Sequence, residues 1–128
     1  MKLITKELEE LFNKYPIHSQ ENKQGKAKLL VKYFNPTGVG TWYITEAEKQ
    51  DNGKYLFYGY CHLGDDLNAE LGYVSQEELE NLKLPFGLTI ERDMYIPKDI
   101  TLKDAIKRDG FRVPSYLMEK NKNERDDR

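Results

Sequence analysis

Two stretches decide the fold: Thr41-Trp42-Tyr43-Ile44-Thr45-Glu46 and Tyr55-Leu56-Phe57-Tyr58-Gly59-Tyr60-Cys61-His62, joined across Gln50-Asp51-Asn52-Gly53. Both are rich in the β-branched and aromatic side chains that suit a pleated surface. An Asn-Gly pair between two such runs is a hairpin signal, because both residues tolerate the positive φ of a tight turn. Side chains alternate along a strand, so Trp42, Ile44 and Glu46 are expected on one side and Thr41, Tyr43 and Thr45 on the other. By the same rule Tyr58 and Tyr60 lie opposite Tyr55 and Phe57. The expectation is a sheet with one apolar face and an opposite face mixing tyrosines with carboxylates.

Working outward, period-two runs place further strands near 28–34, 69–74 and 88–95, beside those at 41–46 and 54–62. Pro36-Thr37-Gly38-Val39-Gly40 is short enough to join the first two strands as a hairpin. Leu8, Leu11 and Phe12 recur at helical spacing behind Thr5, with Glu7, Glu9 and Glu10 at the positive end of the helix dipole. A helix over about 5–14 follows, stopped at Tyr15 by Pro16. Residues 19–28 are polar, contain Gly25 and read as an exposed loop. Ser75-Gln76-Glu77-Glu78 matches a capping box ahead of Leu79 and Leu82. Thr101 caps another short helix with Leu102, Ala105 and Ile106 inside and Gly110 as its stop. These elements make an α+β fold, a mostly antiparallel sheet of about five strands with three or four short flanking helices. They fit one domain over residues 1–118 and a charged tail, 119–128, too poor in apolar side chains to offset the entropy of ordering.

The chain has 128 residues, 38% apolar and 33% charged, a size that suits one core. No apolar run approaches the roughly 18 residues of a membrane span, and the N-terminus turns polar too early for a secretory signal, so a cytoplasmic location is expected. Cys61 is the single cysteine, which excludes an internal disulfide and a thiolate zinc cluster. The net charge of −2 conceals a division. Residues 36–100 carry 12 acidic and 5 basic side chains, and the segments on either side are positive. An acidic segment repels a phosphate backbone and attracts a basic protein surface.

The standard nucleotide, zinc-protease, redox and serine-hydrolase motifs are absent. Cys61 and His62 are consecutive on a strand and point to opposite faces, which argues against a nucleophile–base pair. Asp65, Asp66 and Asn68 lack the glycine and terminal glutamate of a calcium loop. Glu46, Glu70, Glu91 and Asp93 sit on three strands; convergence would make a hard-cation or acid–base site, and otherwise they are solvent-facing strand residues. The chain also holds nine tyrosines, five phenylalanines and one tryptophan. Consecutive aromatics on a strand must face both sides, so some tyrosine surface is exposed, and exposed tyrosine favours protein interfaces. Stacking of single-stranded bases would require cations alongside, of which the second to fifth strands supply only Lys54 and Arg92.

Several strings together carry a resemblance: Leu3-Ile4-Thr5-Lys6-Glu7-Leu8, His18-Ser19-Gln20-Glu21, Val31-Lys32-Tyr33-Phe34-Asn35-Pro36, Thr41 to Glu46, Phe57-Tyr58-Gly59-Tyr60, Glu70-Leu71-Gly72-Tyr73-Val74-Ser75 and Gly87-Leu88-Thr89-Ile90-Glu91-Arg92-Asp93. Over roughly residues 3–100 the chain resembles the small bacterial family catalogued as domain of unknown function twenty-nine fifty-eight. The resemblance implies a setting of plasmids, conjugative elements and phages, where small proteins often counter host defences, and no established chemistry. It singles out Gln20, Glu21, Trp42, Tyr43, Thr45, Glu46, Glu70, Gly72, Tyr73, Glu91, Arg92 and Asp93. The part after Ile100 reads as an addition to the family's usual length.

The resulting expectation is a non-catalytic binding protein of mobile-element type, a counter-defence inhibitor that presents an acidic, tyrosine-rich sheet surface to a basic host protein such as a defence nuclease. Its binding residues are expected to be Trp42, Tyr43, Glu46, Tyr58, Tyr60, Glu70, Tyr73, Glu91 and Asp93. No catalytic residue, metal ligand or cofactor is assigned, no membrane partner is expected, and nucleic acid is disfavoured. The alternative is a small divalent-cation-dependent hydrolase or nuclease using the four carboxylates.

Overall fold

A computed structural model describes residues 2–118; the tail expected at 119–128 lies outside the described residues. The chain runs α1 (Lys6–Lys14), β1 (Val31–Phe34), β2 (Thr41–Lys49), β3 (Tyr55–His62), β4 (Glu70–Ser75), α2 (Gln76–Asn81), β5 (Glu91–Arg92) and α3 (Leu102–Arg108), with 3-10 turns at Gln24–Lys26, Pro85–Gly87 and Ser115–Leu117. The five strands form one sheet in the order β4-β3-β2-β1-β5, every neighbouring pair antiparallel. The α+β class, the three capped helices and the five-stranded sheet are as the residue pattern predicts. Thr5, Ser75 and Thr101 each accept a hydrogen bond from the third residue of the helix they cap, and Ser75 with Glu78 completes the capping box.

The faces of the sheet differ from expectation at one residue. Ile44 pairs with Gly59 and Glu46 with Tyr58, so Thr45 is an extra residue, a β-bulge. Beyond a bulge the alternation reverses, which puts Glu46 on the side of Tyr43 and Tyr60 and away from Trp42 and Ile44. Ala47 then takes the inward place beside Ile44 and Phe57. The bulge also requires Gly59: a Cβ there would lie 1.8 Å from the Tyr43 carbonyl oxygen.

A larger correction concerns the face opposite the apolar one. Both faces are covered. The first packs Ile44, Phe57 and Tyr33 under Phe12 of α1 and Leu79 of α2. The second packs Tyr43 and Tyr60 under Leu102, Ala105 and Ile106 of α3, together with Leu29 and Leu117. An amphipathic helix must bury its apolar stripe somewhere, and this face is where α3 buries its own. The 19–28 stretch is likewise held down: Gln20, Gly25 and Ala27 are buried, and a Cβ on Gly25 would meet the Leu117 carbonyl oxygen at 1.9 Å. The last strand is shorter than the alternation from 88 to 95 suggests, just Glu91 and Arg92, because only Tyr33 and Phe34 pair with it.

Candidate functional site

The nine expected binding residues divide into buried and accessible groups. Tyr43, Tyr60, Trp42 and Glu46 are buried and are withdrawn from any contact surface. Tyr43 and Tyr60 disappear under α3 for the reason given above; Glu46 is turned inward by the bulge.

Glu46 instead organises the loop before β1. Its Oε1 accepts the His18 backbone N–H at 2.8 Å and its Oε2 accepts that of Gln20 at 2.9 Å. Gln20, itself buried, donates from Nε2 to the carbonyls of Thr45 and Lys28 at 2.8 and 2.9 Å and accepts the Lys28 N–H at 2.8 Å. A buried polar group is tolerated when its hydrogen-bonding capacity is met, and the two side chains meet each other's loop in this way. The same bonds hold His18 at φ +78°, a left-handed conformation costing on the order of 1 kcal/mol without such support. Gln20, Thr45 and Glu46 are thereby a clamp that fixes the chain against β2.

A second polar cluster ties α3 to the sheet. Lys32 Nζ lies 2.8 Å from Asp109 and 3.3 Å from Asp93, all three largely shielded from solvent, and the Tyr43 hydroxyl donates to Asp109 at 2.5 Å. Burial, then the bond to Asp109, pushes the Tyr43 phenol well above its ordinary range. Asp109 caps the end of α3, so Asp93 and Tyr43 serve packing of that helix. Glu91 pairs across from Phe34 on β5.

These placements decide whether the four carboxylates meet. Glu70 is on β4 and Glu91 on β5, the two opposite edges of the sheet, and Glu46 is committed to backbone amides between them. Among the described residues no group of three or more His, Cys, Asp and Glu could hold a metal ion. Cys61 sits on the first face, its thiol pushed up by burial and then by Glu70. His62 lies on the second, stacked on Phe111 at 3.8 Å and bonded to Asp66 at 2.7 Å. It closes a turn, its ring partners among the described residues being Asp66, Phe111 and the Gly64 N–H. A groove of about 750 Å³ runs between the start of α1 and α2; its carboxylates Glu80 and Glu9 face Lys54 at 2.7 Å and Lys49 at 3.9 Å.

Of the expected residues, Tyr58, Glu70 and Tyr73 lie accessible or half-buried on β3 and β4, and Glu91 and Asp93 are half-buried at the opposite edge. Tyr73 is 56% exposed, Glu70 is exposed and Tyr58 half-buried. The Tyr58 and Tyr73 rings are 4.9 Å apart and inclined at 61°, an edge-to-face pair across the β3–β4 ladder. Tyr116, 47% exposed, comes from the segment after α3; burial and then Glu70 raise its phenol, partly offset by the Leu71 backbone. Burial raises the Tyr58 phenol, and after burial Glu46, Tyr73, Tyr116 and Glu21 raise it further. Each of those groups is acidic or phenolic. The surrounding stretch, residues 55–82, contains six carboxylates and no lysine or arginine. Ser75 N–H donates to Glu78, so the backbone at the end of the edge strand is met by a side chain. Blunting of this kind discourages pairing with another strand.

The sequence reading missed Tyr116, Lys32 and Asp109. The run Phe111, Val113, Tyr116, Leu117 carried a signal, since it is too apolar to be left in solvent. The geometry defines a small α+β domain, an antiparallel sheet enclosed by helices on both faces, with Tyr73 and Glu70 accessible on one edge and Tyr95 exposed beyond the other. The chain belongs to the family described as Protein of unknown function (DUF2958), whose model matches residues 3–108. The match takes in α3, so that helix is part of the family domain and the expectation of an addition from Ile100 is corrected. No curated protein and no solved structure matches the chain.

Proposed function

We propose that this protein is a non-catalytic binding module that docks the acidic, tyrosine-bearing β3–β4 edge on a basic surface of another protein. One observation carries the reading: the stretch from Tyr55 to Leu82, which has no lysine or arginine and six carboxylates, surrounds the exposed Tyr73. Tyrosine supplies contact area at low rotamer cost, and a predominantly acidic stretch, of which Glu80 is already paired with Lys54, steers and selects an oppositely charged partner. The surface is smaller than the whole-face interface expected from alternation and lies at the side of the sheet. A host defence nuclease fits this chemistry, because a surface that binds a phosphate backbone is basic; a mobile-element setting and a cytoplasmic location accord with it. No helix among the described residues is long and apolar enough to cross a membrane. The separation of Glu70 from Glu91 and Asp93 gives the hydrolase reading no support.

The test is titration with an oligolysine peptide at rising salt, with oligoglutamate as control. Oligolysine binds, weakens steeply as ionic strength rises, and is lost in the Glu70→Lys, Glu77→Lys double variant. Failure to bind, or affinity insensitive to salt and charge reversal, contradicts the proposal.

A further inference from the structure

Two glycines stand opposite each other on β3 and β4, Gly59 and Gly72, and the fold accounts for only the first. A Cβ on Gly59 would strike the Tyr43 carbonyl oxygen, whereas a Cβ on Gly72 would meet no atom within 4 Å. Gly72 does not have the positive φ that favours glycine either. Glycine inside a strand weakens it and gives up a side chain that could pack; one use for it is to let another group come close to the backbone.

The space at Gly72 is a hollow of about 290 Å³. Register fixes its side of the sheet. Gly72 aligns with Gly59 and Ile44, and Glu70 aligns with Cys61 and Trp42, so both rows project on the first face. Phe12 of α1 packs on Tyr55 and Phe57, toward the other end of β3. Ile44, Val74, Trp42 and Cys61 give the hollow its apolar lining, Glu70 and Glu78 are its carboxylates, and no lysine or arginine lines it. Glu78 is engaged with the Ser75 N–H. Glu70 is exposed and belongs to no ion pair among the described residues. Trp42 is 9% exposed, and its indole N–H donates to no group among those residues.

We infer that the hollow over Gly72 seats one lysine or arginine side chain of the basic partner, its aliphatic stem on the apolar lining and its cation at Glu70. Long basic side chains bury their stems on apolar surface while the charged head stays at the rim, and an indole ring attracts a cation beside it. The volume lies at the bottom of the roughly 300–1,000 Å³ range of small-molecule pockets, a size that suits one side chain better than a whole ligand. The inference rests on the edge-docking reading and deepens it: the acidic stretch supplies attraction, and the hollow on the same edge strand supplies the anchor.

Trp42 is the one tryptophan of the chain, so its fluorescence reads the hollow directly. Oligolysine is titrated with emission and calorimetry followed together, and fully ε-acetylated oligolysine, which keeps the length and removes the cations, is the control. Oligolysine is expected to change Trp42 emission with the midpoint that calorimetry gives, and the acetylated peptide to leave it unchanged. Gly72→Leu fills the hollow without altering charge; it is expected to keep the parent's circular dichroism and to weaken oligolysine binding about fivefold or more. If Gly72→Leu does not fold, the parent's emission alone decides. Binding that Gly72→Leu leaves at parent strength, or that leaves Trp42 emission unchanged, overturns the seat while edge docking stands. Equal binding of the acetylated peptide also overturns the seat. Oligolysine that does not bind the parent at all removes both readings, and a dimer in sedimentation that Gly72→Leu dissociates replaces the basic partner with a second copy.

Discussion

The strings Thr41 to Glu46 and Glu70 to Ser75 use the same chemistry, a glutamate beside tyrosine on a β-strand, and put it to opposite ends. In β2, Glu46 is buried and spent on two backbone amides, and Tyr43 is sealed under α3. In β4, Glu70 and Tyr73 stand in solvent at the edge of the sheet. The difference is position in the sheet. A central strand of an enclosed sheet gains from meeting its polar groups internally, as Glu46 and Tyr43 do, whereas an edge strand keeps its polar groups hydrated and available. Residue type alone therefore does not mark a recognition surface.

Substitutions in the two strands should consequently separate stability from binding. The largest loss is expected from Gly59→Ala, whose methyl would collide with the Tyr43 backbone at the bulge. Urea denaturation should show a loss upwards of about 3 kcal/mol. A normal midpoint would mean that the bulge does not set the face of Glu46. Ile106→Ala, at the centre of the α3 contact, should cost about 3 kcal/mol by cavity formation. A change close to zero would mean that α3 does not cover the second face. Glu46→Ala should cost about 2 kcal/mol, for two charge-assisted bonds lost and two amides left without acceptors, and amide exchange at His18 and Gln20 should quicken while the β3–β4 amides keep their protection.

pH sharpens the contrast further. Burial, followed by Tyr116 and Asp66, pushes the Tyr60 phenol up to about 12, against about 10 for an unfolded chain. A raised folded value means that this contribution to stability is complete below about pH 10 and is lost as pH climbs through the folded value. Unfolding midpoints should therefore fall across that window, and Tyr60→Phe should flatten the fall; an unchanged slope in the variant counts against Tyr60 being enclosed. The smallest stability effects belong to the edge: Glu70→Lys and Tyr73→Leu should each stay within about 0.5 kcal/mol of the parent, while oligolysine binding drops.

Much of the fold was legible because local signals agreed. Caps at Thr5, Ser75 and Thr101 announce helices, and Asn52-Gly53 announces the central hairpin. The faces were less legible, for two physical reasons. A bulge is a register event between two strands, so nothing within Ile44-Thr45-Glu46 alone reveals that Thr45 is extra. The covering of the second face depends on long-range packing, although the apolar side of Leu102, Ala105 and Ile106 required a partner and the exposed-face expectation left it none. For the site, Tyr58, Glu70 and Tyr73 were read as binding residues and are accessible. The return of the chain past Phe111, which packs Val113 and Leu117 onto the second face, is a tertiary contact that spacing does not encode.

Tyrosine modification with tetranitromethane, with and without oligolysine and read out by peptide mass, tests the account most directly. In the free protein Tyr73 and Tyr116 are expected to react and Tyr43 and Tyr60 to resist; on binding, Tyr73 and Tyr116 become protected. Ready modification of Tyr43 or Tyr60 in the folded protein, or equal reactivity of Tyr73 in the free and bound states, would contradict it.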